Sequence, residues 1–327
     1  MLYDLLSGFM PRIWIDVLGA AVTGIIVFLL FIKPFSFLPK DGGKKVETPD
    51  GKIVVINDKS AGKFTGVGLV FIIVFLLVSL LMVPFSLESF LYMILIFAMM
   101  MTGYLDDNSK TPWGEYVKGV LDLLLAIATA VVFLIFNSSD VKFFGISFHI
   151  PVVIYGILAV ILIWASINVT NCSDGVDGLC GSVTVIELLA YAVIFWKDIR
   201  IFNDMGIILI GALLAYLCFN WNPSKVLMGD AGSRSIGYIL ALLAMYSGHP
   251  FIFLLMSLVF IFDGGIGLIK VAIMRFLKKP FLENIQFPFH DHLRKGKGWA
   301  PKKVALFFAC LELMMVVITG LVIHFIQ

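Results

Sequence analysis

The chain has 327 residues, of which 60% are hydrophobic and only 14% are charged, and its mean hydropathy is +1.02. A soluble domain typically carries about 25% charged residues, so this composition excludes a soluble fold and indicates an integral membrane protein. Apart from a short eighth stretch, the apolar stretches run to about 16–25 residues, which fits membrane-spanning helices rather than the ~10-residue alternating strands of a barrel. The formal net charge of +2 gives no sign of a nucleic acid partner.

Ten apolar stretches, separated by short polar connections, are predicted to span the membrane. They cover residues 13–32, 66–83, 87–104, 117–136, 150–167, 181–196, 204–219, 235–247, 251–274 and 304–325. The pattern predicts an all-α polytopic membrane protein in which residues 1–327 form a single transmembrane domain. The ninth span contains Asp263-Gly264-Gly265, and the helix is expected to be bent or broken there.

Lys and Arg are distributed unevenly between the two sides of these spans. Twenty of the 24 lie in connections on one side, which the positive-inside rule assigns to the cytoplasm. Ten spans then place both termini outside the cell. The first cytoplasmic connection contains Pro49-Asp50-Gly51, a turn signal between two β-prone pieces, so a small hairpin is predicted within residues 45–56.

The predicted cytoplasmic connections also carry clustered acidic residues. Asp106 and Asp107 end the third span, and as neighbours at a helix end they diverge by about 100° and need not share a ligand. Lys110 and Lys118 follow and could meet a phosphate. Clustered carboxylates at one membrane face are typical of a site for a hard cation such as Mg²⁺, whose preferred ligands are oxygens.

The connection after the fifth span repeats polar residues at a spacing of three. Asn171, Asp174 and Asp177 would share one face if they formed the first turn of the sixth helix. Helix capping explains one such Asp but not two Asp and an Asn interleaved with glycines. The glycines permit close approach of the backbone to a ligand, so a functional role is favoured.

Two further segments are candidates for phosphate chemistry. Residues 229–233 form a Gly-rich turn, Gly-Asp-Ala-Gly-Ser, that is predicted to open the eighth helix, where exposed N–H groups favour an anion. The last cytoplasmic loop contains His290, Asp291 and His292 beside several basic residues, and contact with an anionic substrate is favoured over a transition metal. Acids within spans are functional candidates by default, and Asp263 is the foremost of them.

In this order and on the same predicted side, these motifs resemble those of the polyprenyl-phosphate N-acetylhexosamine-1-phosphate transferase superfamily. Asp-Asp at 106–107 is followed by Asn-x-x-Asp-Gly-x-Asp-Gly at 171–178 and Met-Gly-Asp-x-Gly-Ser at 228–233. Within the superfamily the chain looks most like the phospho-N-acetylmuramoyl-pentapeptide transferases of bacterial peptidoglycan synthesis. The resemblance covers nearly the whole chain, including the number of spans, the orientation and the hairpin.

The resemblance implies a Mg²⁺-dependent exchange at the bacterial inner membrane, with the site facing the cytoplasm. Undecaprenyl phosphate would attack the β-phosphorus of UDP-N-acetylmuramoyl-pentapeptide, UMP would leave, and lipid I would remain among the membrane lipids. Direct attack is favoured over a covalent enzyme intermediate, although the residues alone leave both open. A homodimer is also implied.

Particular roles carry over onto matching positions of this sequence. Asp106 would lie at the lipid phosphate as base or positioner, assisted by Asp107, while Asp230 would be the principal Mg²⁺ ligand and Asp174 a second carboxylate. At the nucleotide, the implied contacts are Asn171 and Asp177, with Asp177 toward uracil, and the nucleotide pocket would be lined by Asn220, Gly229 and Ser233. Lys110 and Lys118 would contact phosphate, and Thr65 would contribute from the first cytoplasmic loop. His290 and His292 would contact the sugar-phosphate.

Three positions depart from the pattern of the family. The family usually has Pro-x-His-His-His in this loop, and Asp291 replaces the middle histidine of that motif. The middle histidine is therefore either not essential here or its role is taken by Asp291. Leu227 replaces the aromatic residue before Met-Gly-Asp, which puts uracil stacking at that position in doubt. The loop at residues 62–68 keeps only the outline of the usual Gly-Thr-Pro-Thr-Met-Gly-Gly.

Two other functions remain open from the sequence. A sister enzyme would transfer GlcNAc-1-phosphate instead, and a product assay with UDP-GlcNAc against the muramoyl-pentapeptide substrate would distinguish it. An ion-coupled transporter would keep its key acids near the middle of the bilayer, often in repeated halves. Here the acidic motifs lie at span ends and no halves repeat, which argues against a transporter. Transport of a solute without release of UMP would support that class.

Overall fold

Long apolar helices make up most of the structure, since a helix satisfies its own backbone hydrogen bonds in a hydrocarbon environment. The computed structural model describes residues 2–33, 36–41, 45–47, 53–55, 62–109, 111, 113–143, 145–199, 201–279 and 281–326. The first half contains α1 (Leu2–Ser7), α2 (Arg12–Ile32), β1 (Lys45–Glu47), β2 (Ile53–Val55), α3 (Gly68–Met82), α4 (Leu87–Asp107), α5 (Glu115–Phe136), β3 (Asp140–Phe143) and β4 (Ile146–His149).

The second half is helical throughout. It contains α6 (Val152–Ser173), α7 (Leu179–Ile194), α8 (Trp196–Ile199), α9 (Ile201–Asn220), α10 (Gly229–Tyr246), a 3₁₀ turn (Pro250–Ile252), α11 (Phe253–Met256), α12 (Leu258–Phe260), α13 (Ile266–Ala272), α14 (Phe289–Asp291) and α15 (Pro301–Ile326). Three π-helical segments, Ile261–Gly265, Ile273–Leu277 and His292–Gly296, interrupt the α-helices near the end of the chain.

The number of helices that can cross a membrane is six, or seven if one bent pair is a single span. Among the described residues, α2, α4, α5, α6, α9 and α15 are long and apolar enough. The chain is therefore a multi-pass membrane protein. The predicted second, sixth and eighth spans correspond to the shorter or less apolar helices α3, α7 and α10, and ten full crossings remain a prediction.

The bent pair corresponds to the predicted ninth span. Pro250–Met256 and Leu258–Leu277 meet at 64°, with the break at Ser257. The sequence placed the bend at Asp263-Gly264-Gly265, which instead forms the π-helical segment after the break. Gly264 has a packing role there, because a Cβ atom added to it would lie 2.7 Å from Cβ of Cys172 in α6.

Two small antiparallel hairpins lie between helices. The predicted hairpin of residues 45–56 is present as β1 and β2, with Lys45 opposite Val55; its turn, Pro49-Asp50-Gly51, lies outside the described residues. A second hairpin pairs β3 with β4, with Asp140 opposite His149, and the sequence analysis did not predict it.

Helix α10 forms the centre of the bundle and is buried from Ala231 to Met245. It packs against α3, α4 and α6. Close approach to α6 needs a small residue, since a Cβ atom added to Gly237 would lie 2.5 Å from the Ser166 carbonyl oxygen. The Ser166 hydroxyl donates to the Gly237 carbonyl oxygen at 2.6 Å. This packing brings the first turn of α10 beside the last turns of α4 and α6.

Candidate active site

The acidic motifs meet around the first turn of α10. Glycines allow α3 and α4 to touch its backbone: a Cβ atom added to Gly103 would lie 2.5 Å from the Asp230 carbonyl oxygen, and one added to Gly68 would overlap the Gly232 nitrogen. α10 begins at Gly229, so the Gly-rich turn opens a helix as predicted. Asp106 and Asp107, in the last turn of α4, are thereby placed next to Asp230.

Lys118 of α5 joins two of the predicted acidic residues. Its Nζ atom forms an ion pair with Oδ2 of Asp106 and lies 3.1 Å from Oδ2 of Asp230. The backbone N–H of Trp113 donates to Oδ1 of Asp106 at 2.7 Å, which fixes the orientation of that buried carboxylate. A single ammonium group therefore bridges the ends of α4 and α10.

Asn171 connects α6 to the same turn. Its Nδ2 group donates to Oδ1 of Asp230 and to Oγ of Ser233, both at 2.9 Å. The Ser233 hydroxyl in turn donates to the Gly229 carbonyl oxygen at 2.9 Å. The structure thus brings together Asn171, Asp230 and Ser233, as the sequence predicted, and both oxygens of Asp230 have a partner.

Asp107 lies against the backbone of the α10 turn. The Ala231 N–H donates to its Oδ2 atom at 3.3 Å. Gly229 has φ = +65°, and a Cβ atom added there would overlap the same Oδ2 atom. Only glycine combines this left-handed conformation with the close approach of a carboxylate. The predicted residue Gly229 is therefore needed to let Asp107 reach the turn.

Asp174 follows the last residue of α6, and its backbone N–H donates to the Asn171 carbonyl oxygen at 3.2 Å. α7 begins only at Leu179, so Asp174 and Asp177 lie in a connection and not in the first turn of a helix, as the three-residue spacing had suggested. Burial raises the pKa of Asp174 well above its ordinary value, as do the nearby charges of Asp230 and Asp107. Asp174 thus belongs to the acidic cluster.

Asp177 is held by the segment after α9. Its Oδ2 atom accepts hydrogen bonds from Nδ2 of Asn222 at 2.9 Å and from the Ser224 N–H at 3.2 Å. Lys63, which the sequence analysis did not select, lies 3.6 Å from the same oxygen and donates to Oγ of Ser224 at 2.7 Å. These contacts bring the first cytoplasmic loop to Asp177.

Asn220 and Thr65 hold the backbone around the site. The buried Asn220 amide accepts from the Gly178 N–H and donates to the Val226 carbonyl oxygen, both at 2.8 Å. The Thr65 N–H donates to the Pro39 carbonyl oxygen at 2.9 Å. Both atoms of the Asn220 amide are therefore occupied by the chain itself. Lys110 lies outside the described residues.

His290 is buried in the last loop, and Asp263 holds it through two contacts. Oδ1 of Asp263 accepts from the His290 backbone N–H at 2.7 Å, and Oδ2 lies 2.8 Å from Nδ1. A carboxylate acceptor at Nδ1 favours the tautomer with its proton on that atom, which leaves Nε2 as an acceptor. A Cβ atom added to Gly175 would overlap Nε2, so this atom lies beside the Asp174 connection.

The other two residues of the motif make different contacts. Asp291 pairs with Lys295 at 2.7 Å, and its Oδ1 atom lies 3.9 Å from Nε2 of His290 and from Arg294. The His292 ring stacks on Phe289 with centroids 5.6 Å apart. Arg294 donates to the Gly175 carbonyl oxygen at 3.2 Å. Asp291, the departure from the family pattern, therefore forms a local ion pair with a lysine, while His290 makes the contact with the Asp174 connection.

A buried ion pair lies one helical turn after the acidic cluster along α10 and α5, and the sequence analysis did not predict it. Arg234 of α10 pairs with Asp122 of α5, and both side chains are almost fully buried. Arg234 follows Asp230 by four residues, and Asp122 follows Lys118 by four. Each of the two helices carries an acidic and a basic residue four positions apart, in opposite order, and this pattern could have predicted the pairing from the sequence.

The site suits a hard cation by the chemistry of its donors, which are carboxylate oxygens. Among the described residues, however, no three His, Cys, Asp or Glu side chains are arranged to hold a metal ion. The Lys118 ammonium lies between Asp106 and Asp230. Asp174 makes no side-chain hydrogen bond to the described part of the chain. The assignment of Mg²⁺ to Asp230 and Asp174 therefore stays a prediction.

Comparison with known proteins first defines the class. Residues 89–248 match the family described as Glycosyl transferase family 4. The matched interval includes Asp106, Asp174 and Asp230, the acidic residues that meet at α10. The part of the chain that carries the acidic cluster is thus similar to a family of glycosyl transferases.

Whole-chain comparison is more specific. The chain is 38% identical over 320 residues to the phospho-N-acetylmuramoyl-pentapeptide-transferase of Treponema pallidum, covering 90% of this chain and 86% of the relative. It is 31% identical over 303 residues to the Streptococcus pyogenes protein of that name, covering 85% and 88%, and 30% identical over 288 residues to that of Streptococcus suis, covering 81% and 86%. The chain belongs to the phospho-N-acetylmuramoyl-pentapeptide-transferase family, which confirms the resemblance found in its motifs.

Proposed function

We propose that this protein transfers phospho-N-acetylmuramoyl-pentapeptide from its UDP derivative to undecaprenyl phosphate, forming lipid I and releasing UMP. Membership of the family supports a phosphoglycosyl transferase. The observation that carries the assignment is the convergence of Asp106, Asp230 and Asn171, from three membrane helices, around Lys118 and the first turn of α10. This places anion-binding and carboxylate groups together at the ends of apolar helices, where a lipid phosphate and a soluble nucleotide could meet.

The arrangement suits phosphoryl transfer, which depends mainly on positioning and on stabilising charge. Lys118 lies where it can contact a phosphate oxygen while remaining paired with Asp106 and Asp230. Asp106 is held by the Trp113 N–H, so its second oxygen is presented in a fixed direction. We assign Asp106 to positioning or deprotonating the lipid phosphate, with Asp107 supporting the turn that carries Asp230.

Mg²⁺ is proposed as the cofactor, held by Asp230 and Asp174. When bound, the ion would stabilise negative charge on the pyrophosphate and the departing UMP. The raised pKa of Asp174, caused by burial and by neighbouring carboxylates, supports a site whose negative charge is in excess. Lys118 alone balances only part of that charge.

The substrate contacts are proposed from the positions of the remaining residues. Asp177 and Asn171 flank the Asp174 connection and are assigned to the nucleotide. His290 is assigned to the sugar-phosphate through Nε2, since Asp263 holds its other nitrogen. His292 and Thr65 lie in the two loops that border this region and are retained as candidates.

The membrane arrangement is proposed from the charge distribution. The preponderance of Lys and Arg on the side of the acidic motifs supports a cytoplasmic active site in the bacterial inner membrane, with ten spans and both termini outside. A homodimer is proposed from the family resemblance alone.

The test is an exchange assay with purified protein. Radiolabelled UMP should exchange into UDP-N-acetylmuramoyl-pentapeptide only when undecaprenyl phosphate and Mg²⁺ are both present. UDP-GlcNAc in place of the muramoyl-pentapeptide substrate serves as the comparison. Exchange with UDP-GlcNAc alone would assign the chain to GlcNAc-1-phosphate transfer, and no exchange with either donor, from folded protein, would refute the proposal.

A further inference from the structure

A second acidic cluster lies within the helices, apart from the active site. Glu187 is in the middle of α7, and Glu312 is in the middle of α15. Both are fully buried, as is Tyr191, one turn after Glu187 on the same face of α7. Helix α7 packs against α15, and the two carboxyl groups and Tyr191 lie within electrostatic range of one another. The proposed transferase mechanism uses none of these residues.

Four oxygen atoms of this cluster have no hydrogen-bond partner within the described chain. They are Oε2 of Glu187, Oε1 and Oε2 of Glu312, and the hydroxyl oxygen of Tyr191. Neither carboxyl group forms an ion pair with a Lys, Arg or His among the described residues. Buried polar groups in proteins are almost always bonded, and carboxyl groups inside a membrane span almost always have a partner. Buried oxygens from two packed helices therefore lack the partners that such groups usually have among the described residues.

The cluster also contains the break of the discontinuous helix. The Ser257 hydroxyl donates to Oε1 of Glu187 at 2.5 Å, and Ser257 separates the two halves that meet at 64°. α11 and α12 both pack against α15. In membrane proteins the C-terminal end of a half-helix, together with nearby acidic side chains, is a recurrent site for Na⁺ or H⁺.

We propose that Glu187, Glu312, Tyr191 and Ser257 form an intramembrane binding site for one Na⁺ ion at the break of this helix. The ion would balance the charge of one carboxylate, and the second carboxyl group would keep its proton. The ion would thereby hold α7 and α15 to the break, which lies about one and a half turns before Asp263.

The small number of oxygens favours Na⁺ over divalent cations. Ca²⁺ takes six to eight oxygen ligands, and Mg²⁺ retains several waters. The few oxygens present here suit a monovalent ion better.

The experiment measures Na⁺ binding to the purified full-length protein in detergent. Thermal unfolding is followed while NaCl replaces N-methylglucamine chloride at constant ionic strength, and bound ²²Na⁺ is counted directly. Wild type should bind one Na⁺ per chain, and its Tm should rise saturably by roughly 2–4 °C at Na⁺ concentrations well above Kd. Neither readout depends on transferase activity, so failure of this proposal and of the proposed function are distinguishable.

Two substitutions remove the proposed ligands with little change in volume. Glu187→Gln and Glu312→Gln should each abolish ²²Na⁺ binding and the Na⁺-dependent shift in Tm. If either fails to fold, Tyr191→Phe removes a single hydroxyl and should weaken Na⁺ affinity severalfold. Glu115→Gln, at an exposed carboxylate, is the matched control and should behave as wild type. Absence of bound ²²Na⁺ in folded wild type, or an unchanged shift in both Gln variants, would overturn the proposal.

Discussion

The contact between Asp263 and His290 gives the most specific prediction. Asp263→Asn keeps the shape of the side chain and its acceptor for the His290 backbone N–H. It replaces the carboxylate oxygen that lies 2.8 Å from Nδ1 with either a donor or a neutral acceptor. His290 would then lose its charge-assisted hydrogen bond and the preference for a proton on Nδ1, so Nε2 would no longer be fixed as an acceptor.

The size of the effect follows from that one hydrogen bond. A hydrogen bond to a charged group contributes about 1.5–3 kcal/mol, and both partners here are buried, so screening by solvent is small. If the bond acts in the transition state, this corresponds to a roughly 10–150-fold loss of kcat/KM for UMP release.

The assay compares steady-state UMP release by wild type and variant at several pH values. Asp140→Asn is the matched control, since Asp140 also contacts a histidine, His149, at 2.9 Å but on the exposed surface. The control should stay within about twofold of wild type, because exposed ion pairs contribute little. A rate for Asp263→Asn within twofold of wild type would refute the role assigned to Asp263.

Four further outcomes are expected. Asp230→Ala should abolish UMP release and weaken the dependence on Mg²⁺, and wild-type turnover would remove Asp230 from the metal site. Asp291→His should be tolerated, because the short contact of Asp291 is with Lys295, its contacts with His290 and Arg294 are longer, at 3.9 Å, and relatives are expected to carry His there; complete inactivation would show that the loop has diverged in role. Arg234→Met should destabilise the protein by about 3–5 kcal/mol in thermal or denaturant unfolding, because Asp122 would be left buried without its partner, and a loss below 1 kcal/mol would contradict this. The pKa of Asp174 is raised, so its carboxyl group keeps a proton to higher pH than an ordinary Asp. Because this proton competes with Mg²⁺ for the carboxylate, the Mg²⁺ concentration needed for half-maximal activity should fall as pH rises through that pKa. A pH-independent Mg²⁺ requirement would contradict the assignment of Asp174.

Much of the architecture followed from composition and motif order. Apolar runs long enough to cross a bilayer predicted the helices, because backbone groups in hydrocarbon must be bonded within their own segment. The turn signal at Pro49-Asp50-Gly51 predicted the β1–β2 hairpin. Local glycine chemistry also predicted that Gly229 and its neighbours open a helix. These features depend on neighbouring residues, so the sequence carries them directly.

The position of the break in the discontinuous helix could not be predicted from the sequence. The Asp263-Gly264-Gly265 run suggested that the helix bends there, yet the change of direction is at Ser257. The glycines instead allow the π-helical segment to pack closely on α6. The side-chain contact from Ser257 to Glu187 joins residues 70 positions apart, and the sequence gives no local sign of it.

By itself the sequence determined the class of protein, the helices and the order of the acidic motifs, since periodicity, composition and short-range turn chemistry are written along the chain. Only the tertiary structure decided that Lys118 joins Asp106 to Asp230, that Asp263 orients His290, and that Arg234 meets Asp122. Those partners come from different helices, and which faces of two helices meet depends on how all of them pack around α10. Side chains far apart in sequence therefore become neighbours only when the whole bundle has assembled.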